Sequence, residues 1–209
     1  MAAFLSEVVL APQRGFVRGR CITDNILELE VAGLGFAAKS TATPAMIAFD
    51  IEAAFPSIAH TYMWQVLQRY AIPMSYINIL KGMYHNYRIQ LRVGGRVFNG
   101  FSIQAGIKQG CPCSGSLFAL GLDPFIRMVC LRIPPAVGKF LAFADDMAAA
   151  VMNIYIQFPI LVKCFILLRM ATALRAHAKR PNLPLWLRST RLNFAGGFLL
   201  RETSGPMLW

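Results

Sequence analysis

Apolar residues recur along this chain with two periods, and the changes between them mark out its elements. Residues 13–20, QRGFVRGR, are basic and punctuated by glycine, which predicts a loop whose backbone could lie close to a phosphate. Thr23 or Asp24 then stands as the cap of a helix through NILELEVAGL. After a Ser/Thr/Pro turn, the short continuous apolar run AMIAF (residues 45–49) predicts a strand buried on both faces and ending at Asp50. From Ser57 to Tyr70 the apolar positions Ile58, Tyr62, Met63, Val66, Leu67 and Tyr70 follow a helical period, and a second helix runs from about Ser75 to His85. RIQLRV (residues 88–93) alternates, Gly94-Gly95 supplies a two-residue turn, and residues 96–103 return as a hairpin with a basic face of Arg88, Arg92 and Arg96. A glycine- and cysteine-rich loop then opens an apolar helix over about residues 114–128. Last, FLAFADDMAAAV (residues 140–151) reads as two short apolar strands with Asp145 and Asp146 at the tip between them.

Composition narrows what these elements can be. At 209 residues the chain has room for one sizeable domain, and 56% hydrophobic residues exclude a disordered tail. The longest charge-free stretch, residues 147–162, is interrupted by Asn153, Gln157 and Pro159, too short for a comfortable span, so no stable membrane insertion is expected. The first residues, MAAFLSEVVLAPQR, lack a basic leader and do not read as a secretory signal, which points to an intracellular setting, nuclear or cytoplasmic. Five cysteines without metal-ligand spacing fit reduced thiols. A net charge of +11 makes a polyanion such as nucleic acid the natural partner, with a basic surface kept for solubility as the competing explanation.

Two adjacent carboxylates in an apolar run are costly unless something neutralises them. Asp50 at a strand end and Asp145 with Asp146 at a hairpin tip form a set of hard oxygen ligands that suits Mg²⁺ shared with substrate phosphates, with Mn²⁺ as a substitute. Two such ions could clamp the attacking and leaving oxygens of an in-line displacement. Side chains alternate along a strand, so the two neighbours cannot ligate equally well; Asp145 is the expected primary ligand and Asp146 the orienting acid. Phe55, five residues beyond Asp50, would lie near a bound nucleotide sugar, where its ring could exclude a 2′-hydroxyl.

The ordered motifs QRGFVRGRCITDN (13–25), FDIEAAFPSI (49–58), GIKQGCPCSGSLFALGLDPFIR (106–127) and FADD (143–146) resemble those of reverse transcriptases, specifically the non-LTR (LINE-type) retrotransposon polymerases. The resemblance implies an α+β right-hand palm with partial fingers, its antiparallel sheet packed on helices. Residues 1–44 would be partial fingers, 45–180 palm and 181–209 an unassigned C-terminal tail matching no thumb or primer-grip hairpin. It implies a metal-binding triad of Asp50, Asp145 and Asp146, a sugar gate at Phe55, and Gln109 and Gly110 lining the template and nucleotide pocket. Within ATALRAHAKR (171–180) it sets Lys179 near the leaving phosphate; a basic helix face contacting nucleic acid is the other reading of that segment. The substrates implied are an RNA or DNA template with primer and deoxynucleoside triphosphates. Cys113 stands where such polymerases have leucine, and the chain reads as a truncated copy of an element. Two further readings stay open, a non-catalytic nucleic-acid-binding remnant and a small basic membrane-associated protein.

Overall fold

The computed structural model of the chain describes residues 2–39, 43–179, 193–195 and 198–200. Its centre is a four-stranded antiparallel sheet of β1 (Ala45–Glu52), β4 (Gly138–Phe143), β5 (Asp146–Val151) and β6 (Arg175–Lys179), in the order β4-β5-β1-β6. Strand β1 runs two residues past Asp50, because its partner β6 continues the ladder as far as Glu52 opposite Arg175. Burial along β1 alternates, so one face is sealed and the other half-covered, where the continuous apolar run suggested a strand sealed on both.

Each face of the sheet has its own helical cover. On one side Ile47, Phe49 and Ile51 of β1, Phe140 and Ala142 of β4, and Met147 and Ala149 of β5 meet α6 (Ser114–Arg132) and α7 (Ile154–Thr172). Phe165 packs on Phe49 at 4.6 Å and on Phe125 at 4.9 Å between ring centres, which ties the two helices to the strands. On the other side Leu29 and Phe36 of α2 (Ile22–Ala37) cover Leu141 and Ala150. A short first helix, α1 (Ala2–Val8), lies against α6. Helices α3 (Ala54–Ser57), α4 (His60–Arg69) and α5 (Met74–Tyr84) follow β1, and β2 (Arg88–Val93) with β3 (Arg96–Ser102) forms a separate hairpin. Both glycines of its Gly94-Gly95 turn have positive φ, as a type I′ connection requires.

Several elements differ from their sequence expectation for identifiable reasons. Helix α2 starts at Ile22 with Cys21 in the cap position and no side-chain cap, so Thr23 and Asp24 lie inside its first turn. The helix expected over Ser57–Tyr70 begins only at His60: Ser57 closes the short preceding α3, and the extended backbone at Ile58, whose carbonyl accepts Gly106 N–H at 2.8 Å, separates the two. Helix α7 occupies the charge-poor run that gave no helical signal. It is capped by Asn153, whose side chain accepts from Tyr155 N–H, while Gln157 accepts from Asn153 N–H at 2.8 Å. The described basic residues of the segment 171–180, Arg175 and Lys179, are not on a helix: α7 gives way at Ala173, in the left-handed region, and the chain enters β6.

By length and composition α6 and α7 could each cross a membrane, with 61% and 33% of their most apolar windows buried in the fold. Of the tail 181–209, only the hairpin of β7 (Asn193–Ala195) and β8 (Phe198–Leu200) belongs to the described residues, so the expected absence of a thumb lies outside them.

Candidate functional site

The acids lie at one end of the sheet's two central strands. Antiparallel pairing of β1 with β5 ends at Phe49 opposite Met147, and one step further the same register sets Asp50 across from Asp146. Residues opposite each other in such a ladder share a face, here the one α2 covers, beyond the last contacts of that helix. Asp145 sits with Ala144 in the two-residue turn joining Phe143 of β4 to Asp146 of β5. Asp50 and Asp145 are half-buried and Asp146 is exposed. Among the described residues no three His, Cys, Asp or Glu side chains are gathered into a metal-ligand set. Among the described residues the acids are therefore neighbours in the fold without forming a three-ligand cluster.

Phe55 projects from α3 and is gripped by two rings. It stacks on Phe118 of α6 at 4.6 Å and 17°, and meets Phe16 edge-on at 5.8 Å and 89°. Its carbonyl accepts Ile107 N–H at 2.7 Å. Gly106, with φ of +92°, passes so close to Pro56 that an added Cβ would fall 2.5 Å from the Pro56 carbonyl oxygen. The loop carrying Gln109 and Gly110 is thus stitched to the segment that follows Asp50, and both residues stand exposed at its turn. The backbone of Lys179 on β6 pairs with Ala48, and that of His177 pairs with Asp50.

The basic loop 13–20 lies along the outer edge of β4. Arg14 N–H donates to Ala142 C=O and Ala142 N–H donates to Pro12 C=O, both at 2.9 Å. Arg20 spends its guanidinium on the carbonyls of Leu10 (2.8 Å), Gln13 (2.6 Å) and Val9 (2.9 Å), next to the carboxyl end of α1. Burial, then the neighbouring Arg14, pulls its pKa below the ordinary value. Arg14 pairs with Asn25 and Glu28 of α2, Lys139 of β4 pairs with Glu28 at 2.6 Å, and Asn25 donates to Ala142 C=O at 3.0 Å. The Lys139 hydrogen bond, then that of Arg14, holds Glu28 below the usual carboxylate range.

Gln13 completes this strap and was not singled out by sequence reasoning. It is fully buried, and its side chain bonds to the residue immediately before Asp145: Oε1 accepts from Ala144 N–H at 3.0 Å and Nε2 donates to Ala144 C=O at 3.3 Å. The only trace of this arrangement in the sequence is a glutamine one residue from a glycine in an otherwise basic loop.

A second buried polar group anchors the site from behind. Asp123, fully buried in α6, accepts from Leu10 N–H at 2.6 Å, from Arg127 Nε at 2.5 Å and from the Tyr70 hydroxyl. Burial, then this hydrogen bond, pushes Tyr70 up to about 12. Away from it, residues 53–122 contain no acid while carrying Arg69, Lys81, Arg88, Arg92, Arg96 and Lys108. The three hairpin arginines of that stretch are exposed.

The family model described as reverse transcriptase (RNA-dependent DNA polymerase) matches residues 1–183. The chain is 29% identical over 153 residues to the transposon TX1 uncharacterized 149 kDa protein of Xenopus laevis, covering 70% of this chain and 12% of that protein. It is 28% identical over 139 residues to the Pol polyprotein from the type-2 retrotransposable element R2DM of Drosophila melanogaster, covering 65% of this chain and 13% of the relative. In fold it is similar to the telomerase of Candida tropicalis in complex with a fragment of telomeric RNA, with a TM-score of 0.64 at 10% identity, over 99% of this chain and 36% of that one. The truncated apo form of the same telomerase matches with a TM-score of 0.54 at 10% identity, over 96% of this chain and 41% of that one.

Proposed function

Because the chain belongs to the reverse transcriptase family, we propose that it carries the catalytic centre of an RNA-directed DNA polymerase of the non-LTR retrotransposon kind. The observation that carries this reading is the strand register that sets Asp50 opposite Asp146, with Asp145 in the adjoining turn. In it a primer 3′-hydroxyl attacks the α-phosphate of a deoxynucleoside triphosphate and pyrophosphate leaves. Asp50 and Asp145 would hold divalent metal. A pair of carboxylates completed by substrate phosphates suits Mg²⁺, with Mn²⁺ as a substitute, better than an all-protein cage would. When bound, two such ions lower the pKa of the attacking hydroxyl and neutralise charge on the transferring phosphate. Asp146 would orient the site from its strand position, and Lys179 would lie near the leaving phosphate.

The surrounding residues would position substrate. Phe55, held between Phe118 and Phe16, has little freedom to move aside and would exclude a 2′-hydroxyl. Gln109 and Gly110, at an exposed turn, would line the template and nucleotide pocket. Residues 1–44 would act as part of the fingers and 45–180 as the palm. The acid-free stretch 53–122 supports a template held through phosphate contacts, with salt-dependent affinity and little base readout. Such work belongs in the nucleus or cytoplasm.

Primer extension on an RNA template in Mg²⁺, comparing the chain with Asp145→Ala, tests the reading. The native sequence should add deoxynucleotides and the variant should lose at least about 100-fold in rate, the scale of removing a principal electrostatic group. If neither adds nucleotides while both bind template equally, the chain is a non-catalytic nucleic-acid-binding protein.

A further inference from the structure

We propose that Gln13 is a positioning residue for the Asp145 turn, clasping both backbone polar groups of Ala144 and so fixing the carboxylate that follows. The inference rests on the preceding reading in one respect, that Asp145 holds metal.

The turn needs outside help. Ala144 has φ of +57°, in the left-handed region that an L-residue with a Cβ disfavours. Two-residue hairpin turns of this kind favour glycine or asparagine at such a position. Here the residue is alanine, and it is buried. A primary amide presents one donor and one acceptor side by side, which is what a single residue's C=O and N–H require. Gln13 supplies both to Ala144, at 3.3 Å and 3.0 Å, and its Oε1 also accepts Gly15 N–H at 2.9 Å. A glutamate there would lose the donor, and an apolar residue would leave two buried groups of Ala144 without their present partner.

The strap is built so that this amide cannot drift. Gly15 runs so close to the turn that an added Cβ would lie 2.0 Å from Ala144 N, and the backbone on either side of Gln13 bonds to Ala142. Asn25 and the Arg14–Glu28 pair fasten the same stretch to α2. The clasp therefore connects α2, the strap and the acid turn as one unit. Gln13 lies behind the turn, fully buried, and acts through Ala144.

Terbium(III) binding by the full chain, read by luminescence sensitised through its tyrosines and tryptophans and competed with Mg²⁺, separates this role from general support of the fold. The native chain should bind and Asp145→Ala should not. Gln13→Met, with far-UV circular dichroism unchanged, should bind terbium and Mg²⁺ about tenfold more weakly, the equivalent of one lost net hydrogen bond. In primer extension the same variant should recover activity as Mg²⁺ is raised, which a merely loosened core would not do. Equal affinity of Gln13→Met and the native chain overturns the proposal. If the native chain binds no terbium even with a deoxynucleoside triphosphate present to complete the coordination, it is the metal-holding reading of Asp145 that fails. Hydrogen exchange of the native chain then judges the clasp by itself, as it also does if Gln13→Met does not fold. The Ala144 amide should exchange as slowly as the paired amides of β5, and exchange at the rate of an open loop overturns the clasp.

Discussion

Replacing Gly15 with alanine tests how tightly the strap is packed on the acid turn. The added Cβ would stand 2.0 Å from Ala144 N, 2.7 Å from Ala144 Cα and 2.8 Å from Phe143 C, all backbone atoms that cannot swing aside. Ordinary contact needs about 3.5 Å, so strap or turn must retreat by roughly 1.5 Å. A retreat of that size takes the Gln13–Ala144 bonds, and the Arg14–Ala142 bond beside them, out of range. Two or three lost bonds at about 1 kcal/mol each, with about 1–2 kcal/mol of overpacking strain, give about 3–5 kcal/mol. For a chain of this length each kcal/mol moves the midpoint by about 2–4 °C, so Tm should fall by about 10 °C in a thermal melt followed by circular dichroism. Gly35, exposed on α2 with nothing near its vacant Cβ position, is the control: Gly35→Ala should stabilise by up to about 1 kcal/mol through helix propensity alone. Melting of the two variants within about 1 °C of each other would refute the close approach of Gly15 to the turn.

Three further outcomes follow from the same packing. Asp123→Ala strips the Leu10 amide and the Tyr70 hydroxyl of their common acceptor and should cost about 2 kcal/mol in urea unfolding, since each of these half-buried donors falls at the low end of the about 1–3 kcal/mol that an orphaned buried donor costs. Tyr70, pushed up to about 12, keeps its proton in the folded chain where the unfolded chain has lost it above its ordinary value of 10.0. Its contribution is complete below pH 10 and disappears as pH rises towards 12, so stability should fall over that window and Tyr70→Phe should flatten the fall. Phe55→Val removes the ring stacked on Phe118; ribonucleotide incorporation in primer extension should rise relative to deoxynucleotide, and an unchanged ratio would exclude the sugar-gate role.

What the sequence made legible is what local pattern can carry. The alternation around Gly94-Gly95, the apolar run into Asp50 and the paired acids between two apolar strands all recur in the structure as a hairpin, β1 and the β4-β5 turn. Helix α7 escaped because its outward side is also apolar. Leu161, Cys164, Phe165 and Leu168 keep a helical spacing towards the core, but Ile156, Ile166, Leu167 and Met170 on the other side erase the contrast that would reveal it. The break between α3 and α4 receives a hydrogen bond from Gly106, far along the chain, and no local propensity announces it. The clasp of Gln13 on Ala144 joins residues 131 apart through one side chain and two backbone groups, so neither period nor composition records it.

The strap also changes the meaning of the basic residues at the start of the chain. Read as charge alone, Arg14, Arg18 and Arg20 are a phosphate-binding patch. In the fold Arg20 serves carbonyls and Arg14 serves Asn25 and Glu28, which leaves Arg18 as the exposed one of the three. For the proposed template, the acid-free stretch 53–122 with its exposed hairpin arginines offers positive charge on residues that are not engaged in holding the strap. The two sets should separate in a salt titration of template binding. Removing Arg88 or Arg92 takes a positive charge away from the phosphate backbone and should reduce the dependence of log K on log salt by about 0.7–0.9 for each phosphate left unneutralised. Removing Arg20 should leave that slope unchanged and lower the melting temperature. A slope that falls for Arg20 and not for the hairpin would mean that the strap, for all its internal bonds, is the surface the template meets.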